Sequence, residues 1–149
     1  MSQDTKEEDK RSIKITDIPE IGILACFSGA SNSGLLTGLA ALNVLKEMGE
    51  DVVGICSLPS LSNQVERQIA ITKRLKRLLV IDGCRNSCSK KIADKLGLEY
   101  DDYINLETSL GIKKVGPFTT LMYSEGELDT TIKAITQKIE ALRKSIVEG

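Results

Sequence analysis

Three short apolar runs dictate the architecture of this chain, because each one ends at a small-residue turn and gives way to a helical pattern. The first, Ile21-Gly-Ile-Leu-Ala-Cys-Phe27, is apolar along its whole length and is bounded by Pro19 and by Ser28-Gly-Ala-Ser-Asn-Ser-Gly34. A strand that shows no polar alternation is one buried on both faces, as in a parallel sheet covered by helices. Asp51-Val-Val-Gly-Ile-Cys56 and Arg77-Leu-Leu-Val-Ile81 repeat the pattern, and Tyr103-Ile-Asn-Leu106 supplies a fourth strand. Between them, Leu35 to Met48, Asn63 to Lys73 and Ser87 to Leu96 carry apolar residues at helical spacing. Leu128 to Val147 is a long amphipathic helix with Ile132, Ile135, Ile139, Leu142 and Ile146 on one face. Alternating strands and helices imply right-handed crossovers. The expected fold is an α/β class, single three-layer domain over residues 15–149, with a mostly parallel sheet of about four strands and Rossmann-like winding. Residues 1–14 are polar and charged and read as a disordered arm. Residues 107–126 lack periodicity and read as a long loop, either a plain connection or a lid over a site.

Bulk properties narrow the partners. The 149 residues suit one domain, and 41% hydrophobic with 28% charged residues is ordinary globular composition. Aromatics are only 3% with no Trp, so the core must be aliphatic. A net charge of -1 gives no electrostatic case for nucleic acid or an anionic membrane. No apolar run is long enough to span a bilayer, and the polar N-terminus is unlike a secretory signal. A cytoplasmic location is the default expectation. In a reducing compartment, cysteines serve as metal ligands or reactive thiols more often than as structural disulfides.

Four cysteines and no histidine are present. Cys26 and Cys56 end the first and second strands, Cys84 follows the third, and Cys88 opens the next helix. All four fall on one edge of a parallel sheet, where open α/β folds place binding sites. If the first strand lies between the second and third, at the usual spacing of roughly 4.8 Å, the thiols come within reach of a common centre. Residues four apart on a helix have Cβ atoms roughly 5–6 Å apart, so Cys84 and Cys88 could share one metal. Helix N-termini at this edge would lower thiolate pKa values. Soft thiolates select zinc or an iron–sulfur cluster, and nothing in the residue pattern separates the two. Asp82 is a candidate replacement ligand or outer acceptor. The competing reading makes Cys26 and Cys56 small buried packing residues.

The turn Ser28 to Gly34 occupies the position of a phosphate-binding loop but has neither Walker nor G-x-G-x-x-G spacing. Ser28, Gly29, Ser31 and Asn32 are the candidate ligand-binding residues, with a tight turn and N-cap as the simpler role. The basic run Lys73 to Arg77 is explained by a solvated helix end.

Cys26-Phe-Ser-Gly-Ala-Ser-Asn32, Gly54-Ile-Cys56-Ser-Leu-Pro59 and Ile81-Asp-Gly-Cys84-Arg-Asn-Ser-Cys88 together resemble the DGC-domain family of small prokaryotic proteins. The motifs run from about Ile21 to Lys91. The resemblance implies zinc binding through four candidate chelating cysteines, which map onto Cys26, Cys56, Cys84 and Cys88. It implies no reaction. The expectation is therefore a metal-binding protein, zinc first and an iron–sulfur cluster second. The alternative is a thiol redox enzyme or sulfur carrier using Cys84 and Cys88. All four sulfurs should lie close together, with Cys56 the least secure member.

Overall fold

A computed structural model describes residues 18–149, so the expectation of an N-terminal arm over residues 1–14 lies outside the described residues. Ten elements follow in order: β1 (Ile21–Ala25), α1 (Asn32–Met48), β2 (Val53–Ile55), α2 (Leu58–Ser62), α3 (Glu66–Lys73), β3 (Arg77–Asp82), α4 (Cys88–Lys95), β4 (Asp102–Asn105), α5 (Leu106–Leu110) and α6 (Glu125–Glu148). The four strands form one parallel sheet in the order β2-β1-β3-β4. The α/β class and the strand number expected from the apolar runs both hold, and β1 does lie between β2 and β3.

Period-two alternation sorts the strand residues onto two cores. Ile21, Ile23 and Ala25 of β1 and Leu79 and Ile81 of β3 face α1 and α6, where they meet Leu36, Ala40, Val44, Ile135 and Ile139. Leu24, Leu78 and Val80 face the opposite way, onto Leu61, Ala93 and Leu98. Every residue of β1 is buried, as the unbroken apolar run requires.

Three departures have local causes. The helix expected over Asn63 to Lys73 begins only at Glu66, as α3, and a separate short helix α2 precedes it, because Ser57 caps an earlier turn through Ser60 N–H and Pro59 sits in that first turn. Gln64, at φ 57°, breaks the path between them. The stretch 107–126 begins with α5, started by Asn105, whose side-chain oxygen accepts from Glu107 and Thr108 N–H. Gly111, left-handed at φ 68°, ends it. The last helix starts earlier than the apolar pattern shows, at a capping box between Ser124 and Glu127. Among the described residues, no helix is long and apolar enough to cross a membrane.

Candidate functional site

Two turns at the C-terminal edge of the sheet press against each other, and their glycines permit it. Gly83 follows β3, and a Cβ there would lie 2.7 Å from the Ser33 carbonyl carbon and oxygen and 2.8 Å from Gly34 N. Gly34, in the first turn of α1, would in turn drive a Cβ into the Ser28 carbonyl. Close backbone approach, rather than a special backbone angle at Gly83, is why glycine stands at these two positions. The two turns border a cavity of about 260 Å³ whose lining includes Cys26, Ser28, Ser31, Ser33, Cys84, Cys88 and Lys114.

Cys26 leaves β1 with its sulfur 3.5 Å from Thr37 Oγ1. That hydroxyl donates to Gly34 O at 2.7 Å and accepts from Phe27 N–H at 3.1 Å. Its one proton is committed, so the Cys26 S–H is the donor to it. Cys84 sits on the β3–α4 turn, where its carbonyl accepts from Ser87 N–H and from Asn105 Nδ2 at 2.8 Å. Its sulfur lies 3.8 Å from Lys114 Nζ. Cys88 is the first residue of α4. The helical i, i+4 geometry expected for the Cys84–Cys88 pair is absent, because the helix begins only at Cys88.

Cys56 is elsewhere. Its neighbour Ile55 packs on the α1–α6 core, so alternation turns the Cys56 side chain to the other face. There it lies over Gly22, whose missing side chain makes the room: a Cβ would come within 3.1 Å of the sulfur. Burial pushes the Cys56 thiol up to about 12, offset in part by the Thr72 hydroxyl. The expected convergence of four sulfurs is therefore corrected: a strand end shares an edge with its neighbours, but its side chain still belongs to one face. Among the described residues, no group of three or more Cys, Asp or Glu is drawn together as a metal ion would need.

The expected lowering of thiol pKa by a helix N-terminus is also corrected at Cys88. Partial burial raises it first, then the Asp82 carboxylate, Cys84 and Cys26, against the weaker pull of Lys91. The N-terminus of α4 is already satisfied. Asp82, 1% exposed, accepts from Ser89 N–H at 2.8 Å through one oxygen and from Lys90 N–H at 3.0 Å and Tyr103 Oη at 3.0 Å through the other. Ser87, left-handed at φ 52°, makes no side-chain cap of its own. Asp82 is thus a cap delivered from the neighbouring strand, and its oxygens are engaged by protein donors.

Of the four candidate ligand-binding residues, Ser28 and Ser31 line the cavity, and Ser31 is also the N-cap of α1 through Gly34 N–H at 3.1 Å. Gly29 and Asn32 turn to the loop between α5 and α6. The Gly29 carbonyl accepts from Thr120 Oγ1. Asn32 donates to Lys113 O at 2.9 Å and accepts from Val115 N–H at 2.9 Å, clasping the backbone on either side of Lys114. Ser33, a further hydroxyl of the same turn, also lines the cavity, whereas sequence reasoning missed Lys114, Thr37, Asn105 and Tyr103 as site residues. The lysine pair in the aperiodic stretch was the one visible hint, and nothing in spacing says which lysine turns inward.

A family model of the DGC domain matches residues 22–138. The match extends well past the motifs ending near Lys91 and takes in β4, the Lys114 loop and part of α6. No curated protein and no solved structure matches the chain. With most of the chain covered, and with Asp82, Gly83 and Cys84 together at the cavity, the protein belongs to the DGC-domain family.

Proposed function

We propose that the chain is a metal-binding protein, zinc first, whose ligands are the thiolates of Cys26, Cys84 and Cys88. The observation that supports this is that these three thiols, one leaving β1 and two on the turn and helix start after β3, line one cavity. Donor chemistry fits a soft or borderline cation, with an iron–sulfur cluster as the second candidate. The three sulfurs do not stand at a common point, so binding must draw them together. Cys56 belongs to packing. Three protein thiolates would leave a position open to water or a small ligand, which is the arrangement of reactive rather than purely structural zinc sites.

The test is metal and acid-labile sulfide analysis of anaerobically purified protein and of four single Cys→Ser variants. Stoichiometric zinc that survives Cys56→Ser and is lost in the other three supports the reading. Metal-free wild-type protein, or equal loss in all four variants, overturns it. A brown protein containing labile sulfide replaces zinc with a cluster.

One contact favours a second reading, thiol chemistry at Cys84. Lys114 Nζ, 3.8 Å from the sulfur, is placed to stabilise a thiolate there. Iodoacetamide should then alkylate Cys84 fastest among the four, and Lys114→Met should slow it. An unchanged rate removes this reading.

A further inference from the structure

The cavity holds a second set of groups that metal binding by thiolates does not use. Ser33 lines it, is 0% exposed, and its hydroxyl has no hydrogen-bond partner among the described residues. Buried hydroxyls are nearly always paired, so an unpaired one on a residue that lines a cavity marks a place where a ligand belongs. Ser33 also stands in the first turn of α1, a 17-residue helix with no acidic residue in that turn. Ser31 Oγ accepts from Gly34 N–H there and Thr119 Oγ1 from Asn32 N–H, but both are neutral hydroxyls, so no carboxylate offsets the helix's partial positive charge as Asp82 does at α4. Lys114, whose Nζ lies 3.8 Å from the Cys84 sulfur, brings a full positive charge to the same cavity. It is held there by the Asn32 amide, which binds the backbone of both flanking residues, so little ordering remains to be done on binding.

We infer that this cavity is a subsite for a small tetrahedral oxyanion, bound by the Ser33 hydroxyl, the N-terminus of α1 and the Lys114 ammonium. A helix N-terminus with hydroxyl donors and a nearby cation is a general anion-binding chemistry. Phosphate, sulfate and thiosulfate share it. Asp82 also lines the cavity, and its oxygens are turned to the backbone N–H groups of α4 and to Tyr103 Oη. The donors named are distinct from the thiols, so the subsite does not need the metal, although an anion seated here would lie beside Cys84 and any open metal position.

The experiment is calorimetric titration of chelator-treated full-length protein with sodium phosphate, sulfate or thiosulfate. Ionic strength is held constant with chloride, and acetate is the planar control. Saturable one-to-one binding of at least one tetrahedral anion is expected, weakened about tenfold or more by Ser33→Ala and by Lys114→Gln. Ser33→Ala removes an unpaired hydroxyl and Lys114 is half-exposed in a loop, so both variants should retain the wild-type thermal midpoint without anion. Asn32→Ala should weaken binding through the loss of Lys114 placement. Absence of saturable binding, binding untouched by both variants, equal affinity for acetate, or binding only after zinc is added would each overturn the subsite. Metal content is read separately on the same preparations, so either reading can fail while the other stands.

Discussion

At the scale of single residues, identity matters here mostly through what a side chain would displace. Gly83→Ala must push apart the Ser33–Gly34 backbone, which is fixed by the helix it starts, and should cost about 1–3 kcal/mol. Urea denaturation measures this, and a loss below about 0.5 kcal/mol would mean the two turns are not tightly packed. Cys84 and Cys56 form the sharpest contrast. Cys84→Ser should strip metal or thiol reactivity while leaving the fold intact. Cys56→Ser puts a hydroxyl among Leu24, Leu61 and Val80 and should cost about 1–2 kcal/mol with ligand binding unchanged. Metal content and thermal midpoint on the two variants decide it. The reverse pattern would relocate the site.

At the scale of elements, α4 is held at its start by a residue outside it. Asp82 belongs to β3 and caps α4 through two backbone N–H groups, while Tyr103 of β4 donates to the same carboxylate. Three elements therefore meet at one side chain, and they frame Cys84 and Cys88. Asp82→Ala leaves those donors unpaired in a buried setting and should destabilise by about 2–3 kcal/mol, more than Asp82→Asn, which keeps one acceptor. Equal stability of the two variants would show that the cap is dispensable. The loop between α5 and α6 depends in the same way on α1, through Asn32 and Thr119. Asn32→Ala should raise hydrogen exchange and proteolysis across residues 113–119 while leaving the sheet protected.

For the whole molecule, the thiols also set a limit at high pH. Cys56 is held as the neutral thiol, raised from 9.0 to about 12 in the folded state. Burial, first among several causes, also raises Tyr103. A group with its folded pKa raised contributes stability in full below the unfolded value and loses it as pH climbs to the folded one. Stability should therefore fall between pH 9 and about pH 12. In Cys56→Val that fall should be shallower. Denaturant midpoints across this window test it, and parallel curves for wild type and variant would show that Cys56 is not the group responsible.

The layered α/β fold was legible from the chain because burial on both faces removes every polar residue from a strand. Ile21 to Phe27 and Arg77 to Ile81 cannot be mistaken for half-exposed strands, and their spacing leaves room only for helical crossovers. The cysteine positions at strand exits were equally legible, and so was the family, since those are features of order along the chain. Which face a strand-end side chain takes is a matter of register. Cys56 joined the core because Gly22 on the neighbouring strand leaves it a space. Asp82 became a helix cap because α4 begins beneath it. Lys114 reached Cys84 from 30 residues away because Asn32 clasps its loop. Local pattern determined the elements and the edge on which the chemistry gathers. Only tertiary packing, acting between residues far apart in the chain, decided which groups face the cavity.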